Sequence, residues 1–317
     1  MAQPMKQEIS KKKSPENNPF LIPDQWRDYE LLDSGNEMKL ERWGDLILIR
    51  PEIEAAWSRQ DVQAWKTCDA QFHPSRSLSK NHQEGAWTWN KKPPQQWTIR
   101  YRDLRFLLRP TASKQLGVFP EQAVNWDWCM EKIKTARATR QEVRLLNLFG
   151  YSGAATIAAV AAGATVTHVD ASKPMVNWCA ENARTSGFMS EEKKAPIRFI
   201  VDDCAKFIAR EIRRERHYDA IILDPPTFGH GGAGELWKLE DQLLSLLTDC
   251  KKLLSNNPLF LLMSAYTSDL SAALLQEILS EVFGEKESAR ITGSPLGIKG
   301  SLNQKIIPCG VTARWCN

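Results

Sequence analysis

Nothing in this 317-residue sequence is apolar enough to span a bilayer. No stretch approaches the roughly 18 uninterrupted apolar residues that a membrane helix needs. The first twenty residues are polar and lysine-containing, without the apolar core of a secretory signal, so a cytoplasmic chain is expected. Cysteine is sparse: seven residues, scattered, with no Cys-x-x-Cys pair. That pattern excludes a disulfide scaffold and a zinc cluster, and it suits a reducing compartment. The five histidines do not pair with the cysteines either, so no metal site is expected. Repeats and low-complexity tracts are missing beyond residues 1–27, which read as a disordered, Lys- and Pro-containing tail.

What is present is a regular alternation of short apolar runs and longer amphipathic ones. Val143–Leu148, Ala164–Val169, Ile197–Val201 and Ala220–Leu223 have strand length and strand composition. Between them lie helical stretches at Ala154–Ala162, about Lys173–Thr185 and about Ala205–Arg216. A helix over Glu235–Leu254, a strand at Pro258–Met263, a helix over Ser271–Val282 and weaker strands toward Trp315 follow. Strands of 4–8 residues alternating with helices of 10–15 predict a doubly wound, mostly parallel α/β sheet of Rossmann-like build. Ligands bind such sheets past the carboxyl ends of the strands.

Those strand ends carry the candidate site. The fourth strand runs into Asp224-Pro225-Pro226-Thr227-Phe228. Two prolines donate no ladder hydrogen bond and fix φ, so the chain must leave the sheet there in a stiff turn. A stiff loop presenting the Asp224 carboxylate and the Phe228 ring suits a flat, hydrogen-bonding ligand such as a nucleobase. After the first strand, Gly150 and Gly153 let the backbone pass close to a ligand. Asp170 ends the second strand, where a carboxylate can accept both hydroxyls of an adenosine ribose. Asp202 and Asp203 end the third; one can face the exocyclic amine of adenine while the other caps the next helix.

Together these residues resemble the class I S-adenosylmethionine-dependent methyltransferases and, more narrowly, bacterial ribosomal-RNA methyltransferases of the 23S cytosine-C5 and guanine-N7 type. The resemblance covers about residues 100–317. It rests on Asn147-Leu-Phe149-Gly150-Tyr151-Ser152-Gly153, Val169-Asp170-Ala171-Ser172, Asp202-Asp203, Asp224-Pro-Pro-Thr-Phe228 and Gly117-Val-Phe119-Pro-Glu-Gln122. It implies S-adenosylmethionine as cofactor, with Phe149–Gly153 along its methionine portion, Asp170 at the ribose and Asp203, with Asp202, at the adenine. Phe119 and Gln122 would lie over the cofactor, and Asp224 would border the methyl-transfer site. Cytosine-C5 members place a nucleophilic cysteine after the fifth strand; here that loop reads Met263-Ser-Ala-Tyr266. Serine is a weak nucleophile without an adjacent base. Cys309 is the other candidate thiol, as nucleophile or as an inert buried group. Direct transfer to a ring nitrogen such as guanine N7 needs neither. Tyr266 could add a second ring or hydroxyl beside Asp224, Pro225, Pro226 and Phe228.

The N-terminal third differs in composition. A small β-rich domain is expected at 28–112, a helical connection at 113–140 and the methyltransferase domain at 141–317. Net charge is only +4, yet residues 71–116 hold nine basic residues against two acidic. Arg76, Lys80, Arg100, Arg102 and Arg105 lie near Trp87 and Trp89 in sequence. Interleaved cations and indoles can bind phosphates and stack on unpaired bases, so RNA is the expected partner. The same indoles could instead fill a β core. Two further readings stand beside RNA methylation. A nicotinamide-dependent oxidoreductase would suit Asp170 but lacks the third fingerprint glycine. An inactive, RNA-binding methyltransferase fold is the other.

Overall fold

The structure, a computed structural model, describes residues 19–75, 84–230, 236–266 and 270–317. Residues 1–18 of the expected tail, and Arg76 and Lys80, lie outside these. Residues 19–27, also expected in the tail, are tied down instead. Leu21 N donates to Pro295 O at 2.8 Å, and Trp26 Nε1 donates to Pro120 O at 3.0 Å. The Trp26 indole packs on Tyr101 with 4.7 Å between ring centres.

The N-terminal part forms a five-stranded sheet, β1 (Tyr29–Gly35), β2 (Met38–Trp43), β3 (Leu46–Pro51), β4 (Ala70–Pro74) and β5 (Gly85–Trp89), in that order. Asn36 and Glu37 both adopt positive φ in the β1–β2 turn, the conformation that matches strand twist in a two-residue hairpin. A separate hairpin, β6 (Trp97–Tyr101) and β7 (Leu104–Leu108), follows. Helix α1 (Ala123–Arg137) then leads into the main sheet.

That sheet contains β8 (Arg144–Leu148), β9 (Thr165–Asp170), β10 (Ile197–Val201), β11 (Ala220–Leu223), β14 (Phe260–Ala265), β15 (Ile291–Lys299) and β16 (Ile306–Cys316). Its order is β10-β9-β8-β11-β14-β16-β15; β16 runs antiparallel to both neighbours and the first five strands are mutually parallel. The order reverses between β8 and β11, and that switch point opens the crevice where such sheets hold ligands. Helices α2 (Ala154–Ala161), α3 (Lys173–Thr185), α4 (Cys204–Arg213), α5 (Leu239–Lys252) and α6 (Ala272–Phe283) cover the two faces. Alternate strand residues serve opposite faces, as the pleat requires. Leu145, Ile222 and Leu262 pack with Ile133 and Ile157, whereas Leu146, Ile221 and Leu261 pack with Phe207, Leu247 and Leu275. None of the helices among the described residues is long and apolar enough to cross a membrane.

One expected element is different. Leu236–Lys238, expected within a helix, forms a strand, β13, paired antiparallel with β12 (Phe228–His230). The helix begins only at Leu239. This small ribbon extends the Asp-Pro-Pro loop beside the crevice.

The N-terminal sheet is anchored over the carboxyl edge of the main sheet by the tip of the β15–β16 hairpin. Ser301 N and Leu302 N donate to Leu31 O and Leu32 O at 2.8 and 2.9 Å, and Asn303 Nδ2 donates to Ser34 O at 2.9 Å. Tyr29, Trp43 and Leu48 belong to the same apolar cluster as Ile157, Val166 and Ala220. The two parts therefore share a core.

Candidate active site

The glycine-bearing turn after β8 is the first component. Phe149, Tyr151 and Gly153 have φ of 55°, 50° and 84°, left-handed values that a bulky residue adopts only where its surroundings enforce them. The enforcement is visible. Gly150 N donates to Val169 O at 3.0 Å, Tyr151 N donates to Asp170 Oδ2 at 2.8 Å, and Asn182 Nδ2 donates to Ser152 O at 2.8 Å. Ser152 Oγ donates to Gly117 O, which ties the turn to the segment before α1. A Cβ on Gly150 would sit 2.4 Å from the buried His168 ring. Gly150→Ala should therefore push the turn outward and destabilise the fold by about 1–3 kcal/mol, as overpacking does. Denaturant unfolding measures this, and an unchanged midpoint would contradict the packing argument.

Asp170 ends β9 with both carboxylate oxygens engaged by backbone: Oδ2 by Tyr151 N and Oδ1 by Ser172 N, each at 2.8 Å. A carboxylate has about four lone-pair sites, so each oxygen keeps capacity for a further donor. Burial raises its pKa, and the two amides pull it back. Asp203 caps α4 by accepting Lys206 N at 2.9 Å and lines the cavity. Asp202 does neither; its carboxylate pairs with Arg210 outside the cavity.

These groups border a cavity of about 1230 Å³. Phe119, Phe149, Tyr151, Asp170, Ala171, Ser172 and Asp203 line one half, and Asp224, Pro225, Pro226, Phe228 and Tyr266 all line it too. An adjoining hollow of about 70 Å³ takes in Gln122, Asn147, Gly150 and Ser152. Asn147 is held there by its Nδ2, which donates to Thr156 Oγ1 at 2.8 Å. Gly153 lines neither space and instead starts α2, where a Cβ would fall on Cys179.

The Asp224 loop is braced from both sides. Trp237 Nε1 donates to Pro226 O at 2.6 Å and its ring lies 5.8 Å from that of Phe149. Phe228 is 47% exposed, a large ring left at the mouth of a cavity. Burial and the nearby Glu121 carboxyl push Asp224 up to about 7. Glu121 is itself raised, chiefly by burial. Tyr266 OH donates to Glu121 Oε1 at 3.0 Å and accepts from Gln122 Nε2 at 2.8 Å, while Phe119 packs on the rings of Tyr266 and Tyr151. The hydroxyl of Tyr266 is thus occupied within the protein, and its ring faces the cavity. Beneath it, Asn125 Nδ2 donates to Gln122 Oε1 at 2.8 Å, and Arg314 Nε donates to Asn125 Oδ1 at 3.0 Å. Cys309 also lines the cavity, but burial drives its thiol well above the ordinary range and its Sγ bonds Ile307 O at 3.4 Å.

The expected RNA-binding set lies elsewhere. None of Trp87, Trp89, Arg100, Arg102 and Arg105 lines the cavity. Trp87 and Trp89 pack against the core, with Trp87 Nε1 donating to Thr111 O at 3.1 Å. Arg100 and Arg102 are paired with Asp28 and Asp127 at 3.2 and 3.0 Å, and Arg105 is exposed. The cavity wall contributed by the N-terminal sheet was not foreseen. Lys39, Glu41, Arg50, Glu52 and Lys114 line it. In the sequence their charges read as a solvated strand face. Glu121 stands inside the quoted Gly117–Gln122 segment, and Trp237 was hidden in an expected helix.

A doubly wound sheet with this acidic, glycine-turned carboxyl edge defines a class I transferase built around an adenosine-bearing cofactor. A family model described as S-adenosylmethionine-dependent methyltransferase matches residues 59–262, and the chain belongs to that family. Its methyl donor is S-adenosylmethionine. The crystal structure of an S-adenosylmethionine-dependent methyltransferase from Agrobacterium tumefaciens is 35% identical, covers 95% of this chain and 94% of that one, and superposes with a TM-score of 0.85. Ribosomal RNA large subunit methyltransferase K of Neisseria meningitidis serogroup B is 23% identical over 81% of this chain and 70% of its own length. Ribosomal RNA large subunit methyltransferase K/L of Magnetococcus marinus is 35% identical over 42% of this chain. The match spans only 17% of that longer protein. Membership of the family sets the nicotinamide reading aside.

Proposed function

We propose that this chain methylates a nucleobase of RNA, ribosomal RNA in the first instance, by direct in-line transfer in the cytoplasm. The observation that carries the reading is the pairing, at one cavity, of a half-buried Asp224 with an exposed Phe228 on a proline-stiffened loop. The ribosomal-RNA activity for which the K and K/L relatives are named supports the choice of acceptor.

When bound, S-adenosylmethionine supplies an electrophilic methyl group carried on sulfur. The residues present fit it: the left-handed turn at Phe149–Gly153 presents Phe149 and Tyr151 to the cavity, and Asp170 retains acceptor capacity. Asp170 would hold the ribose hydroxyls, the turn would follow the methionine portion, and Asp203 would border the adenine. Phe228 stacks on the entering base, a contact worth about 1–3 kcal/mol in single-stranded recognition. Asp224 accepts a hydrogen bond from an N–H of that base and takes up its proton where the acceptor nitrogen carries one. Cys309 is half-buried with its thiol pushed up by desolvation, a poor nucleophile for attack on a pyrimidine ring, which favours a ring nitrogen such as guanine N7 as acceptor.

Two measurements test the reading. Purified protein incubated with S-adenosylmethionine and unmodified ribosomal RNA should yield a methylated base by nucleoside mass spectrometry; label entering only protein or small molecules would refute it. The pH profile of kcat/KM should also have an acidic limb near 7, because Asp224 works ionised and loses that form as pH falls. Glu121→Gln removes the neighbouring carboxyl that helps hold Asp224 up, so the limb should move to lower pH. A limb unmoved in that variant would separate Glu121 from the proton-accepting step.

A further inference from the structure

At about 1230 Å³ the cavity exceeds the roughly 300–1,000 Å³ of a site for one small ligand. It has room for the cofactor and for a second molecule against the wall formed by the N-terminal sheet. That wall is crowded with charge. Arg50 and Glu41 form a buried bidentate pair at 2.6 and 2.8 Å, with Tyr29 OH donating to Glu41 Oε1 at 2.9 Å. Burial disfavours the charged Glu41, yet Arg50 and Lys39 outweigh it and hold the carboxyl down at about 2. Lys39 Nζ lies 3.2 Å from Glu52 and 3.8 Å from Glu41. Two carboxylates thus answer two cations.

Lys114 is the third cation on this wall, and it has no such answer. Its Nζ donates to Pro51 O at 3.3 Å, and among the described residues no carboxylate stands within 4.0 Å of it. Glu84 lines the same cavity, but its side chain is exposed and makes no ion pair with Lys114. Burial first, then Lys39 and Arg50, disfavour the Lys114 ammonium, and together they outweigh the Glu52 and Glu41 carboxylates beyond direct reach. A half-buried ammonium beside a second one, backed by a carbonyl and facing open cavity, is a destabilising arrangement that an anion would relieve.

The RNA reading specifies which anion. A base reaches a cavity of this depth only by leaving its stack, and it draws its own sugar-phosphate in behind it. We propose that Lys114 is a phosphate subsite, its ammonium receiving a phosphodiester oxygen of the nucleotide whose base enters beside Asp224, with Lys39 and Arg50 holding the strand wall behind it. This rests on RNA being the acceptor, and the test separates the two ideas.

A labelled single-stranded RNA ten-mer is titrated with protein and S-adenosylhomocysteine, read by fluorescence anisotropy between about 50 and 200 mM salt. Inorganic phosphate is titrated in parallel by calorimetry. The proteins are wild type, Lys114→Met and Lys114→Arg, each checked for unchanged S-adenosylhomocysteine affinity as evidence of folding. Lys114→Met should bind RNA at least fivefold more weakly and lose about 0.7 from the slope of log affinity against log salt, the share of one phosphate on a single strand. Lys114→Arg should restore both. Equal affinity and equal slope in Lys114→Met, with wild type binding RNA, would remove the subsite and leave the acceptor intact. Phosphate bound through Lys114 by a protein that ignores RNA would keep the subsite and overturn the acceptor. Binding of neither would overturn both.

Discussion

Asp224→Ala should lose methyl transfer by about 10²–10⁴-fold, the range removed with a positioned acid–base group, while cofactor affinity stays within a few-fold. The carboxylate stands on the loop after β11 and is bonded by no donor among the described residues, so it is free for the acceptor base. Single-turnover rates with saturating cofactor would measure the loss. Normal turnover would strike Asp224 from the site. The same residue makes a second, opposite expectation about stability. Its folded-state pKa, about 7, lies above the ordinary carboxylate value through burial first and Glu121 second. A raised carboxyl favours the fold while protonated, and that benefit fades as pH climbs toward 7. Asp224→Asn should therefore melt above wild type at pH 8, with the gap closing below pH about 4. A residue that costs stability at working pH and is nonetheless kept charged is under functional demand.

Asp170→Ala should weaken S-adenosylmethionine binding at least tenfold, about 1.4 kcal/mol. Two effects combine. The ribose loses a charged acceptor, and such bonds are worth about 1.5–3 kcal/mol. The turn also loses the amide bond from Tyr151 that holds its left-handed residues in place, and the segment after β9 loses that from Ser172. Asp202→Ala is the matched control. It ends the adjacent strand, but its carboxylate is spent on Arg210 away from the cavity, so affinity should barely move. Calorimetry with both variants decides: equal losses, or none at Asp170, would break the ribose assignment.

The main sheet was legible because a parallel strand buried on both faces must be apolar throughout. Ile197–Val201, Ala220–Leu223 and the helix Lys173–Thr185 carry the expected limits. The carboxyl-edge acids were legible for the same reason, since the apolar runs of β9, β10 and β11 stop at Asp170, Asp202 and Asp224. Leu236–Lys238 was not. Its pairing with Phe228–His230 joins separate segments, and its apolar spacing merges into that of α5. In the aromatic-basic stretch from Trp87 to Arg105, sequence and fold part in a different way. Composition shows that cations and indoles are near one another, but only the fold shows Arg100 and Arg102 neutralised by Asp28 and Asp127 from other segments. Lys39, Arg50 and Lys114 were invisible for the converse reason. Strand charges are normally wet, and here a second layer of protein turns them inward.

The hairpin tip at Ser301–Asn303 seats strands 269 residues upstream of it. On synthesis from the N-terminal side, β1 therefore stays unseated until Ser301–Asn303 have been made. Until then the ceiling of the cavity, with its lysines, has no clasp.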